Sequence, residues 1–322
     1  MRSRPGLTAR TAVRVPASSA NLGPSYDCGG LALALYDDLR AEVLPGHQLV
    51  VEVEGEGADS VPRDASHLVI SSLLRGLSEA GQRRPGLRVT CHNRIPHGRG
   101  LGSSSAAIVG GLALARGLLV DGERHLPDER ILEIATDIEG HPDNVAPALL
   151  GGFTIAWKDA QNSGRAVRLD PHPDIEPVVA IPATPLLTSQ ARRMLPARVP
   201  HAQAAANAAR AALLTEAMTH RPDLLLTATQ DWLHQDYRLY AYPQSHALMT
   251  ELRNHGIPAM ISGAGPTVIA LGTRGSSWSG EQVVARIDMI RASFGPAAVA
   301  EFVAKPIAVD GGGVRVEADT GG

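Results

Sequence analysis

The run Pro96-His97-Gly98-Arg99-Gly100-Leu101-Gly102-Ser103-Ser104-Ser105-Ala106 sets three alternating glycines and three successive serines ahead of an apolar stretch. Those residue types suit the binding of a phosphate chain. Glycine lets the backbone turn sharply and come close to a ligand. The first N–H groups of a following helix have no intrahelical partner and are free for an anion. The serine hydroxyls add contacts for phosphate oxygens or for a metal ion. A Walker-type loop is excluded, because it needs a lysine after its last glycine, and the chain's two lysines, Lys158 and Lys305, lie far from the run. The dinucleotide fingerprint fails as well, since its third glycine would fall on Ser103. A Gly/Ser-rich surface turn that only caps a helix would have the same composition.

Three further segments carry groups with chemical potential. Val15 to Gly30 is rich in small residues and presents Asn21 and Asp27, an amide and a carboxylate suited to a cationic group such as an amine. Asx turns use the same residue types. The segment from Glu133 through Glu139-Gly140-His141-Pro142-Asp143-Asn144 gathers polar groups at a helix end and the turn after it. A carboxylate beside a serine hydroxyl can hold a magnesium ion that also binds phosphates. Solvated acids, with a histidine beside the helix dipole, are the plainer alternative. Ser262-Gly263-Ala264-Gly265-Pro266-Thr267 is either a simple hairpin link or a side-chain-poor surface that packs against the phosphate loop. Arg192, Arg193 and Arg238 offer guanidinium groups, which bind carboxylates in a bidentate way.

Strand and helix signals alternate around these segments. Val13 and Val15 lie in a short alternating stretch, as do Leu49, Val51 and Val53. Leu68 to Glu79 has helical spacing, and Leu87, Val89 and Cys91 form a strand that runs into the glycine loop. Helices are predicted from Ala106 to about Leu119 and from Asp128 to Glu139, and a strand follows Gly151-Gly152. Residues 158–177 are polar and contain prolines, which marks a candidate boundary. Beyond it come a strand at 178–182, an Ala-rich helix at His201–Met218, and two strands joined by the Ser262–Thr267 link. A helix near Gln282 to Phe294 and a strand near Gly313 to Glu317 complete the pattern. This mixed order points to two α+β domains with a ligand between them.

Composition narrows the function classes. The chain of 322 residues is long enough for two domains. Its net charge of -3 and 3% aromatic content argue against a nucleic-acid surface or an anionic membrane as partner. No apolar run approaches the ~20 residues of a membrane span, and the first ten residues have no secretory apolar region. Cys28 and Cys91 are too few for a disulfide framework and have no metal-ligand spacing, so a reducing cytoplasmic setting is expected.

Taken together, the segments resemble the GHMP kinase superfamily and, within it, the homoserine kinase family. Gly98 to Ala107 is similar to the superfamily's phosphate loop and Ser262 to Thr267 to its third motif. Val15 to Leu31 and Glu139 to Pro147 resemble motifs of the narrower family. The likeness covers roughly residues 12–305. It implies an N-terminal ATP-binding domain of the ribosomal protein S5-like type, placed at residues 1–165, and a C-terminal ferredoxin-like domain at 166–322. It implies the reaction ATP + L-homoserine → ADP + O-phospho-L-homoserine, the step before threonine synthase, with magnesium (Mg2+) and often in a homodimer.

The resemblance also assigns roles. Pro96, His97, Gly98, Arg99, Gly100, Leu101, Gly102, Ser103, Ser104, Ser105 and Ala106 would bind ATP. Asn21, Asp27, His141, Asp143, Thr188, Arg192 and Arg238 resemble the amino-acid-binding set, with Asp27 suited to the ammonium and the two arginines to the carboxylate. Ser104 and Glu133 resemble the magnesium ligands, with Glu139 as second choice for the carboxylate, and Asn144 would touch the substrate hydroxyl. Mevalonate-type relatives hold an Asp at this last position. An Asn amide cannot accept a proton at neutral pH, so the expected transfer uses no carboxylate base. Positioning, magnesium and helix-start N–H groups would carry it, with Asn144, Ser104 and Glu133 at its centre. Tyr26, Ser25 and His67 depart from the commoner Phe, Gly and Asn, and His67 falls near the expected adenine pocket. A kinase for mevalonate or a sugar would instead carry Asp at 144 and lack the arginine pair, and an inactive binding protein would show an eroded phosphate loop.

Overall fold

A computed structural model describes residues 5–186, 188–293 and 302–317. The first part of the chain runs β1 (Arg10–Ala20), β2 (Gly29–Leu44), β3 (Leu49–Gly55), α1 (Leu68–Glu79), β4 (Gly86–Asn93), α2 (Ser103–Leu118), α3 (Gly122–His125), α4 (Asp128–Glu139), α5 (Val145–Leu150), β5 (Phe153–Lys158) and β6 (Gly164–Leu169). The second part runs β7 (Ile175–Pro182), α6 (Thr188–Arg193), α7 (His201–Thr219), α8 (Leu225–Ala228), α9 (Pro243–Asn254), β8 (Ala259–Ile261), β9 (Val268–Thr273), α10 (Gly280–Ser293), β10 (Phe302–Pro306) and β11 (Arg315–Glu317).

The larger sheet has the order β11-β1-β2-β4-β3, and β2 also pairs with β5, which pairs with β6. β3 and β4 are parallel, and the crossover between them carries α1. In β3, Val51 and Val53 are buried while Glu52 and Glu54 face solvent, so a period-2 pattern turns one face inward. Helix α2 is buried along most of its length and packs on α1 and β1. The rigid seat this gives its N-terminus is what an anion site needs. The smaller sheet is antiparallel in the order β10-β7-β9-β8. With α10 before β10 and helices between β7 and β8, its chain order is the βαββαβ path of a ferredoxin-like unit. Its own core is built on Val178, Leu248, Leu252, Ile261, Val268, Val283 and Ile287.

Several expectations need correction. Helix α2 starts at Ser103, three residues ahead of the expected Ala106, so the serines form its first turn. The stretch 158–177 does contain the change of sheet, but it is not all loop: β6 lies inside it and pairs with β5 from Phe153↔Leu169 to Lys158↔Gly164. Its polar look comes from half-exposed positions. A division at 165/166 therefore cuts a strand, and the change of sheet falls between Leu169 and Ile175. The chain also crosses back, because β11 pairs with β1. Helix α9, with its polar Pro-Gln-Ser-His start, and strand β10 had no periodic signal. Helix α10 ends at Ser293, and Phe294 lies outside the described residues. No helix among the described residues is long and apolar enough to cross a membrane.

Candidate active site

Strand β4 delivers the chain to a loop in which Gly98, Gly100 and Gly102 all have positive φ, at 65°, 75° and 71°. The loop needs glycine for space as well as for conformation. A Cβ on Gly100 would lie 2.3 Å from the Ser262 carbonyl oxygen, and one on Gly102 would lie 2.1 Å from Ser18 Oγ. Ser262 Oγ lies 2.6 Å from the Gly100 carbonyl oxygen and 2.8 Å from Ser19 Oγ. A carbonyl only accepts, so Ser262 donates there and accepts from Ser19. Gly263 N–H donates to the Ala20 carbonyl at 3.0 Å, and Asn21 Nδ2 donates to the Gly263 carbonyl at 2.8 Å. The phosphate loop, the β1–β2 loop and the β8–β9 link thus converge on one point, each from a different part of the sequence.

A cavity of about 170 Å3 opens at this junction. The α2 N-terminus with Ser103 and Ser104 forms one end, and Asn21, His141, Asp143, Arg192 and Arg238 approach from the other side. Asn21 and Asp27 both have left-handed backbone, at φ 69° and 55°, and Asn21 Oδ1 accepts from Asp27 N–H at 2.9 Å. That closed turn presents the Asp27 carboxylate to Arg192, which grips it at 2.6 and 3.1 Å. Arg192 also donates to the Tyr26 hydroxyl at 2.9 Å. Arg238 is 1% exposed, an unusual degree of burial for a guanidinium. Its Nε donates to the Ala191 carbonyl at 3.1 Å, and its two terminal nitrogens lie 3.4 Å from His234 Nδ1 and from the Tyr26 hydroxyl. Both guanidinium groups lie over the Tyr26 ring, 5.6 and 5.3 Å from its centroid.

Beside this group His141 Nδ1 meets Asp143 Oδ1 at 2.5 Å. Burial works against a charged His141 ring, but the bond to Asp143 outweighs it and raises the imidazole pKa above its usual value. Asn144 stands at the start of α5, where Ser18 Oγ donates to its Oδ1 at 3.0 Å. Thr188 opens α6, and its side chain lies outside the described residues.

The carboxylate that meets the serines at the start of α2 is Glu139, the second choice, while Glu133 is paired with arginines. Ser104 Oγ donates to Glu139 Oε2 at 2.7 Å, and Ser105 Oγ donates to Oε1 at 3.2 Å. Glu133 is held by Arg165 at 2.5 Å and by Arg130 at 2.9 Å, and those hydrogen bonds keep its carboxyl below the usual range. The helix explains the difference. Glu139 is the last residue of α4, and Gly140 at φ 93° turns the chain into the site. Glu133 sits about 9 Å farther back along the axis and on another face. A serine hydroxyl and a carboxylate at the mouth of the phosphate loop form an all-oxygen donor pair suited to a hard divalent cation. Asp27, His141 and Asp143 also bring ligand atoms within 4.8 Å of one another, and Arg192 packs on the Asp27 side of that group.

A second cavity of about 300 Å3 adjoins the first and shares Ser103 and Ser104 with it. Leu39, Val61, Pro62, Leu68, Val69 and Ala107 make it largely apolar. His67 is buried in its wall, and burial holds its pKa below the usual imidazole value. His67 Nδ1 has no hydrogen-bond partner among the described residues. Asp37 also lines this cavity, where it accepts from the N–H groups of Arg94 and Ile95 at 2.6 and 2.9 Å while burial pushes its carboxyl up to about 6. Sequence reasoning missed Tyr26 as the platform under both arginines, and it missed Ser18 and Ser19, whereas the packing of the Ser262–Thr267 link against the glycine loop was one of its two readings. No spacing marks a serine as a junction between loops that meet only in the folded chain.

Comparison with known proteins agrees with this geometry. Residues 67–152 match the GHMP kinases N terminal domain, and residues 203–283 match the GHMP kinases C terminal domain. The homoserine kinase of Streptomyces coelicolor is 56% identical over 259 residues, which cover 80% of this chain and 83% of that protein. The homoserine kinase of Mycolicibacterium vanbaalenii is 51% identical over 275 residues, covering 84% and 86%. The crystal structure of homoserine kinase from Cytophaga hutchinsonii superposes with a TM-score of 0.81 at 22% identity and covers 96% of this chain and 98% of that one, which shows the shared fold. On the strength of the two domain matches and of relatives more than half identical over most of both chains, this chain belongs to the homoserine kinase family of the GHMP kinases.

Proposed function

We propose that this kinase transfers a phosphoryl group from ATP to the side-chain hydroxyl of L-homoserine, giving ADP and O-phospho-L-homoserine. The observation that carries the reading is that Arg192 and Arg238 line the same cavity as the glycine loop, with Asp27 held beside them by Arg192. A carboxylate and two guanidiniums are what an amino acid's ammonium and carboxylate require. Mevalonate and sugars carry no ammonium for Asp27 to pair with. In this reading the α2 N-terminus and Ser103–Ser105 hold the phosphates, and the apolar cavity beside them takes the base. Ser104 and Glu139 would hold a magnesium ion, which when bound neutralises phosphate charge. In this reading the product feeds threonine formation, and the two free cysteines fit a reducing cytoplasm.

The chain's own groups then act by placement. Asp27 and the arginines fix the backbone end of homoserine, so its hydroxyl points at the loop. Asn144 sits between Ser18 and the loop and orients that hydroxyl without removing its proton, since an amide is no base at neutral pH. Loose phosphoryl transfer asks for little more than alignment and charge stabilisation. ADP release with ATP and magnesium, measured against L-homoserine, L-threonine, L-serine, mevalonate and galactose, tests the reading. Saturable turnover with L-homoserine above all others is expected. Turnover with another alcohol and none with L-homoserine overturns it.

A further inference from the structure

His234 lies outside the cavity yet touches what forms it. The ring is 0% exposed and sits 5.3 Å from the Tyr26 ring. Its Nε2 is 2.8 Å from the Gly23 carbonyl oxygen. A carbonyl only accepts, so this nitrogen carries the hydrogen. Its Nδ1 is 3.4 Å from a terminal nitrogen of Arg238, which only donates, so this nitrogen is bare. The two neighbours together allow one neutral tautomer, and a protonated ring would set an N–H against an N–H. Burial and the Arg238 charge oppose the cationic form, and Asp231 favours it from 3.7 Å. Both Asp231 oxygens are already engaged, by the backbone N–H groups of Leu233, His234 and Gln235 at 2.8–3.0 Å.

The two contacts of the ring join separate parts of the chain. Gly23 belongs to the loop that carries Asn21 and Asp27, and Arg238 lies on a short turn ahead of α9. A second tie runs beside the first: Asn207 Nδ2 donates to the Pro24 carbonyl at 2.8 Å, and its Oδ1 accepts from Trp232 N–H at 3.1 Å. Arg238 has five N–H donors. The Ala191 carbonyl, the Tyr26 hydroxyl and His234 Nδ1 take three of them, one on each nitrogen of the fork.

We propose that His234 is a positioning residue for Arg238: a neutral imidazole of fixed tautomer that ties the arginine to the Asn21–Asp27 loop and aims its free N–H pair at the substrate carboxylate. This rests on the homoserine reading of the cavity. It assigns the acceptor at Nδ1, more than the donor at Nε2, to substrate binding.

Two conservative variants separate the two contacts. His234→Asn keeps an acceptor near the position of Nδ1, and His234→Gln keeps a donor that reaches toward Gly23. His234→Gln should raise the L-homoserine KM about tenfold while the ATP KM moves less than about twofold, and His234→Asn should stay within about threefold of the parent. In an Arg238→Leu background, His234→Gln should add no further rise, because coupled groups are not additive. Unchanged homoserine KM in His234→Gln, equal rises in both KM values, or an additive double variant overturns the proposal. A readout that needs no substrate stands beside these: ring 15N shifts of His234 in the unliganded parent protein should report a bare Nδ1 and a protonated Nε2 at neutral pH. The opposite tautomer or a cationic ring overturns it. Absence of turnover with L-homoserine in the parent enzyme overturns the substrate reading instead and leaves the 15N result to decide this one.

Discussion

Replacing Arg238 by leucine removes a buried charge whose hydrogen bonds can be counted. Of its five N–H groups, one at Nε goes to Ala191, one terminal hydrogen faces His234 and one faces Tyr26. One hydrogen on each terminal nitrogen remains, which is the pair a carboxylate takes in bidentate fashion. Each such charge-assisted bond contributes ~1.5–3 kcal/mol, and Arg192 remains to share the load, so a loss of about 3 kcal/mol is the working figure. That corresponds to a rise of about a hundredfold in the L-homoserine KM. The ATP KM should hardly move, because the phosphate loop and the apolar cavity are untouched. Steady-state ADP release at saturating ATP, with melting temperature as the control for folding, measures both values. An L-homoserine KM within threefold of the parent, or equal rises in both KM values, would refute the carboxylate assignment.

Three further substitutions test the surroundings of the site. Glu139→Gln should lower kcat about a hundredfold or more by removing the carboxylate paired with Ser104, whereas Glu133→Gln, with its solvent-side ion pairs to Arg130 and Arg165, should stay within about twofold. The reverse ranking, read from kcat at saturating magnesium, restores Glu133 as the ligand. Asp37 binds its proton more tightly folded than unfolded, so the stability it contributes is full at low pH and is lost as pH rises through about 6. Asp37→Asn keeps an acceptor for Arg94 and Ile95 without the charge, so its melting temperature relative to the parent should climb as pH rises through that value. A constant offset across pH counts against burial as the cause.

What the sequence made legible was local. The helices Leu68–Glu79 and Asp128–Glu139 follow from apolar spacing, and both occur with those bounds. The glycine loop was readable because backbone freedom and helix-start N–H groups are properties of short segments. Strand β2 was not, since Gly29-Gly30 at one end and Asp37-Asp38 midway interrupt any alternation. It holds together because one end pairs with β5 and the other with β4. Which of Glu133 and Glu139 lies beside Ser104 was illegible for a related reason. Both are acidic residues of one helix, and only the three-dimensional seat of the α4 end against α2 decides which of them meets Ser104. The burial of Arg238 and the role of Tyr26 were illegible because they arise where distant segments meet.

The pairing of β11 with β1 bears on how the molecule is assembled. Ala12, Val13 and Arg14 face Glu317, Val316 and Arg315 across that pair. β1 is the first of the described strands to leave a ribosome and β11 is the last. During synthesis the outer flank of β1 therefore stays an open template, with unsatisfied N–H and C=O groups of the kind that recruit foreign strands. Burying Val13 and Val15 early does nothing to close it. A fragment stopped after β6 would keep the whole phosphate loop and still carry this raw flank, so the two halves of the chain are one unit in manufacture even though they form two sheets.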